Sequence, residues 1–83
     1  MQISVELSCY PLAEKYIPPI KAFIDKINQT EGVTALTNTM STQLFGDSAV
    51  LFPLLEQAMT SSWQEEGKAV FVCKFINGDL SPK

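Results

Sequence analysis

Thr37-Asn38-Thr39-Met40-Ser41-Thr42-Gln43-Leu44-Phe45-Gly46 stands at the centre of an 83-residue chain and is its most polar part. Its threonines suit strands, and the reversal between two strands falls at or near Met40 and Ser41. No Asn-Gly or Asp-Gly pair fixes that turn. On one side, residues 33–39 read as a strand entered from a turn at Gly32. On the other, residues 42–45 read as the next strand, ended by Gly46 and Asp47. So polar a run has little to bury, so its hydroxyls and amides either face water or point at a ligand. The second is expected here.

Further toward the N-terminus, residues 2–10 alternate cleanly. Ile3, Val5, Leu7 and Cys9 share one face; Gln2, Ser4, Glu6, Ser8 and Tyr10 share the other. Pro11, which has no N–H to give a ladder, stops this strand. Pro18 and Pro19 fit the first turn of a helix that runs to about Gln29, with Ile20, Phe23, Ile24 and Ile27 as its apolar stripe. Toward the C-terminus, Asp47 or Ser48 caps a second helix, and Leu51, Leu54, Leu55, Ala58 and Met59 form its stripe. Pro53 must sit in the first turn or kink that helix. Trp63 comes near its end, residues 64–67 are a polar connection, residues 68–76 are the fourth strand, and residues 77–83 form a loose tail.

Strand, helix, strand, strand, helix, strand is the split βαβ order. The expected fold class is α+β, ferredoxin-like βαββαβ, a four-stranded antiparallel sheet with two helices on one face. Residues 1–83 form a single domain, since no repeat, linker or low-complexity stretch divides them.

Composition narrows the function. The chain is 46% hydrophobic and 18% charged, globular and apolar for its size. A domain this short buries only about 60 to 65% of its unfolded surface, so self-association would enlarge a thin core. A net charge of -3 and the lack of arginine argue against nucleic acid, phosphate groups and anionic membranes as partners. Histidine is absent too, which removes the commonest general base and metal ligand. Cys9 and Cys73 lack metal-ligand spacing and read as buried thiols of a reducing compartment. With no signal-peptide pattern and no apolar run near the ~20 residues of a membrane span, a cytoplasmic location is expected.

The fourth strand alternates Ala69, Phe71, Cys73 and Phe75 with Val70, Val72, Lys74 and Ile76, so both its faces are apolar. Such a strand belongs to a sheet covered on both sides. A homo-oligomer, dimer or tetramer, is therefore expected to cover the face without helices, with a ligand cleft at its rim.

Over most of its length the chain resembles the YkoF-type proteins, which bind thiamine and its hydroxymethylpyrimidine moiety. The resemblance lies in Ser8-Cys9-Tyr10-Pro11-Leu12, in Tyr16, Ile17 and Ile20, and in Thr37-Asn38-Thr39-Met40-Ser41-Thr42 followed by Gly46. Phe52, and the strand from Ala69 to Phe75 leading into Gly78, complete it. The resemblance implies a ferredoxin-like carrier or accessory protein for thiamine-precursor uptake, with no catalytic residues, metal or further cofactor. Members often hold two such domains in tandem; this single copy would associate as two chains or more. Where the family's central motif commonly has acidic residues after the threonine, this chain has Asn38 and Thr39.

The side chains of the same region match such a ligand. An aminopyrimidine edge sets a donor beside ring acceptors, and the Asn38 amide offers both complements. Ser41 and Thr42 add hydroxyls, Tyr10 and Phe45 are candidate stacking surfaces, and the Glu6 carboxylate suits a cationic ring. The expected ligand-binding residues are thus Glu6, Tyr10, Asn38, Ser41, Thr42 and Phe45. The alternative is an interaction module whose open sheet face serves only self-association. An acylphosphatase-type enzyme would need an arginine to hold phosphate.

Overall fold

The computed structural model describes residues 1–12, 24, 25, 27–38 and 41–82. Among the described residues four strands, β1 (Gln2–Pro11), β2 (Val33–Thr37), β3 (Thr42–Asp47) and β4 (Ala69–Asn77), and one long helix, α1 (Ser48–Glu66), make an α+β domain. The strands form one antiparallel sheet in the order β2-β3-β1-β4. Most of the expected first helix lies outside the described residues. At its end, Ile24, Asp25, Ile27 and Asn28 are helical, and the Gln29 N–H donates to the Asp25 carbonyl at 3.2 Å.

β1 is central because its alternation gives it one apolar face to bury. Ile3, Val5, Leu7 and Leu44 pack against Leu51, Leu54, Leu55 and Ala58 of α1, with Ile27 joining the same core. Burying a side chain of this size stabilises by about 1.5 to 3 kcal/mol, so these residues dominate folding. β1 runs through Pro11 rather than stopping before it, and the register explains why. Leu12 donates to the Lys68 carbonyl and Gly78 to that of Gln2, so the even-numbered N–H groups of β1 point toward β4. The missing N–H of Pro11 would point the other way, where β3 has already ended opposite Leu7. No ladder bond is lost.

Other boundaries move without turning any face over. β2 ends at Thr37 rather than 39, β3 continues to Asp47, and β4 begins at Ala69. Asp47 caps α1, its carboxylate accepting from the Ala49 N–H at 2.8 Å. Pro53 lies beyond the first turn, where it forfeits the bond to the Ala49 carbonyl. The helix extends through the expected polar connection to Glu66 and ends at Gly67, whose φ of 90° favours glycine. Trp63 donates from Nε1 to the Ala69 carbonyl at 2.9 Å, satisfying an outward-facing group of β4.

The C-terminal tail, expected to be loose, is tied to the sheet. Gly78 donates to the Gln2 carbonyl, and the Leu80 N–H donates to Ser4 Oγ at 2.9 Å.

Candidate functional site

The pleat divides β1 between two environments. Ser4, Glu6, Ser8 and Tyr10 point away from α1, and pairing sets Phe45 and Ile76 beside Ser4, Gln43 and Lys74 beside Glu6, and Val72 and Val70 beside Ser8 and Tyr10. On this face, helix-free among the described residues, Ser4, Glu6, Gln43, Phe45, Lys74, Ile76 and Leu80 line a concavity of about 390 Å³. That volume lies within the range of small-molecule sites.

Polar groups gather at one side of it. Glu6 Oε1 is 3.5 Å from Lys74 Nζ, and Glu6 Oε2 accepts from Ser41 Oγ at 3.3 Å. The Lys74 side chain is 80% exposed, so this pair contributes little to stability and leaves the carboxylate accessible. Asn38 holds Ser41 in place: its N–H donates to the Ser41 carbonyl, and its Oδ1 accepts from the Ser41 N–H at 2.8 Å. The other side of the concavity is apolar, made by Phe45, Ile76 and Leu80. Phe45 is only 6% exposed although no helix among the described residues covers it.

Three of the expected residues, Glu6, Ser41 and Phe45, are thus brought together. Asn38 acts from behind as the closure of the β2–β3 turn; its neighbours Thr39 and Met40 lie outside the described residues. Thr42 points the other way. It is opposite Leu7, buried, with its hydroxyl 3.4 Å from that of Thr37, because a period of two puts Gln43 on Glu6's face in its stead. Tyr10 is on the right face and 57% exposed, but four residues along β1 is roughly 13 Å at strand rise, beyond the concavity. The residues not foreseen are Ser4, Lys74, Ile76 and Leu80. Ser4 is in phase with Glu6 and could have been read from the alternation of β1; Lys74 and Ile76 depend on how β4 pairs with it, and Leu80 has no periodic signal.

Cys9 and Cys73 are both on the helix side as free thiols, opposite Phe71 and Leu7 respectively. Burial pushes both thiols above their ordinary pKa, which keeps them protonated and unreactive. Among the described residues no helix is long and apolar enough to cross a membrane.

A small four-stranded antiparallel sheet with a helix on one face and a concavity of small-molecule size on the other defines the class, a small α+β domain. The chain belongs to the YkoF-related family, whose model matches residues 2–78. Solved structures resemble it closely. Protein SP2199 of Streptococcus pneumoniae superimposes with a TM-score of 0.86 at 26% identity, over 96% of this chain and 90% of that one. The hypothetical protein MJ1052 of Methanocaldococcus jannascii gives 0.81 at 19% identity, over 98% and 84%. A Thermotoga maritima protein assigned provisionally to thiamine biosynthesis or salvage gives 0.80 at 16% identity, over 98% and 85%. No curated protein matches the chain.

Proposed function

We propose that the protein is a non-catalytic carrier that takes up thiamine or its hydroxymethylpyrimidine precursor in the concavity of the helix-free sheet face, acting as a homo-oligomer in the cytoplasm. The observation that carries this reading is the pairing, in one concavity of about 390 Å³, of an accessible carboxylate with an apolar wall. A pyrimidine ring needs both. Glu6 accepts from the exocyclic amine or balances a thiazolium charge, Gln43 and Ser41 complete the polar edge, and Ile76 with Leu80, over the buried Phe45, meets the ring and its methyl group. Membership of the YkoF-related family and likeness to a Thermotoga protein linked to thiamine biosynthesis or salvage support the same ligand class.

The strand order, and the helical turn that buries Ile27 between β1 and β2, support a ferredoxin-like βαββαβ plan with a second helix on the α1 side. Tyr10, Val70, Val72 and Ile76 are each about half exposed on the helix-free face, which supports covering by a further copy. Free thiols fit a reducing compartment.

Thermal unfolding with and without each ligand tests the proposal, with native mass measured on the same sample. At a hundredfold excess over Kd either ligand should raise Tm by roughly 10 °C or more. Glu6→Gln should weaken binding by about tenfold. An unchanged Tm with both ligands rules the carrier reading out. If the native mass is then still a multiple of the chain, the stripe of Val70, Val72 and Ile76 favours the alternative, a face used for self-association alone.

A further inference from the structure

Phe45 poses a question that the ligand reading does not answer: it lies on the face without helices, yet it is closed off from solvent. Its partner across the ladder, Ser4, is equally buried, each being 6% exposed. What lies beside them is the segment that follows β4. Gly78, at a φ of 139° that favours glycine, turns the chain while its N–H donates to the Gln2 carbonyl. The Ser4 hydroxyl then takes two partners from the same segment. It donates to the Gly78 carbonyl at 2.7 Å and accepts from the Leu80 N–H at 2.9 Å. A hydroxyl has one donor and two acceptor positions, so a single side chain serves both backbone groups. Asp79 closes the turn by accepting from the Ser81 N–H at 2.9 Å. Leu80, 64% exposed, is left standing at the concavity beside Phe45 and Ile76.

We infer that Ser4 is a positioning residue: its hydroxyl latches the segment 78–81 across the end of the sheet, and so places Leu80 as the apolar wall that bounds a ring in the concavity. The inference rests on the ligand reading above for what the wall meets, but the latch itself exists without ligand. Its two bonds join positions 74 and 76 apart in the chain.

Hydrogen exchange at the backbone N–H of residue 80, measured without ligand, tests the latch, and titration with hydroxymethylpyrimidine tests its consequence. Ser4→Ala should speed exchange there by about tenfold or more and weaken binding by roughly three- to tenfold. Ser4→Thr, which keeps the hydroxyl, should restore both. Leu80→Ala should weaken binding while residue 80 stays protected. Unchanged exchange in Ser4→Ala, or fast exchange with unchanged affinity, overturns the inference. Should the unaltered protein take up neither hydroxymethylpyrimidine nor thiamine, the ligand reading falls on that result alone, and the exchange pattern still decides the latch.

Discussion

On the face of the sheet that meets α1, Ile3, Val5, Leu7 and Leu44 are almost closed to solvent; on the opposite face Tyr10, Leu36, Val70, Val72 and Ile76 remain about half exposed. The same strands supply both. On the first face apolar side chains interlock with Leu51, Leu54, Leu55 and Ala58, so free energy is gained from area removed from water. On the second, a carboxylate, an ammonium group, a hydroxyl and an amide stand among apolar groups that nothing in the described chain covers completely. The difference separates the two faces: one holds the domain together, and the other is left open, as the proposed binding requires.

If that separation is right, the largest loss of stability comes from the helix side. Leu44→Ala should cost about 2 to 5 kcal/mol in denaturant unfolding, a large part of the total for a small domain, while leaving the concavity's lining intact. A loss under about 1 kcal/mol would mean that the core is not where the stability lies. Next comes Gly46→Ala, at the end of the central stretch. An added β-carbon would stand 2.8 Å from the Gly32 carbonyl oxygen, so the backbone entering β2 must shift, at a cost of roughly 1 to 3 kcal/mol. Full retention of Tm would show that the β2 edge adapts freely.

Asp47 stands at the end of β3, where it caps α1, and its effect should be smaller and dependent on pH. The Ala49 N–H, then the bond and charge of the N-terminal ammonium group, hold its carboxyl below the ordinary value of 3.8. A depressed folded pKa means stability that is fully present above the ordinary value and lost as pH falls through the folded one. Asp47→Ala should therefore lower Tm at neutral pH, and the gap from the unaltered protein should close in strong acid. A gap that persists there would deny the charge its role. The smallest change should be that of Glu6→Gln on folding, within about 0.5 kcal/mol, because its ion pair is exposed. That variant sharpens the comparison most, since the same substitution is expected to weaken binding about tenfold.

Much of the fold was legible in advance. The alternation from Ile3 to Cys9 and the stripe from Leu51 to Met59 are local periodicities, and each names its buried face without reference to the rest of the chain. The lining of the concavity was half legible. Glu6 and Phe45 could be placed on the open face by counting in twos; the hydroxyl of Thr42 suits a ligand, but the same count turns it toward Leu7. The Asn38 amide suits a pyrimidine, but its carbonyl oxygen is engaged with the Ser41 N–H. Residue chemistry tells what a side chain could bind, whereas turn geometry tells what it already holds.

The sequence by itself determined which residues of β1 and α1 are buried and that the chain is a small α+β domain, because apolar periodicity is a short-range property. Only the tertiary structure decided which strands lie side by side, and hence that Lys74 stands beside Glu6. It alone also decided that the residues after β4 return to the sheet. The bonds that do this join Ser4 to Gly78 and Leu80 across nearly the whole chain, and a hydroxyl bonded to backbone leaves no periodic mark at either end.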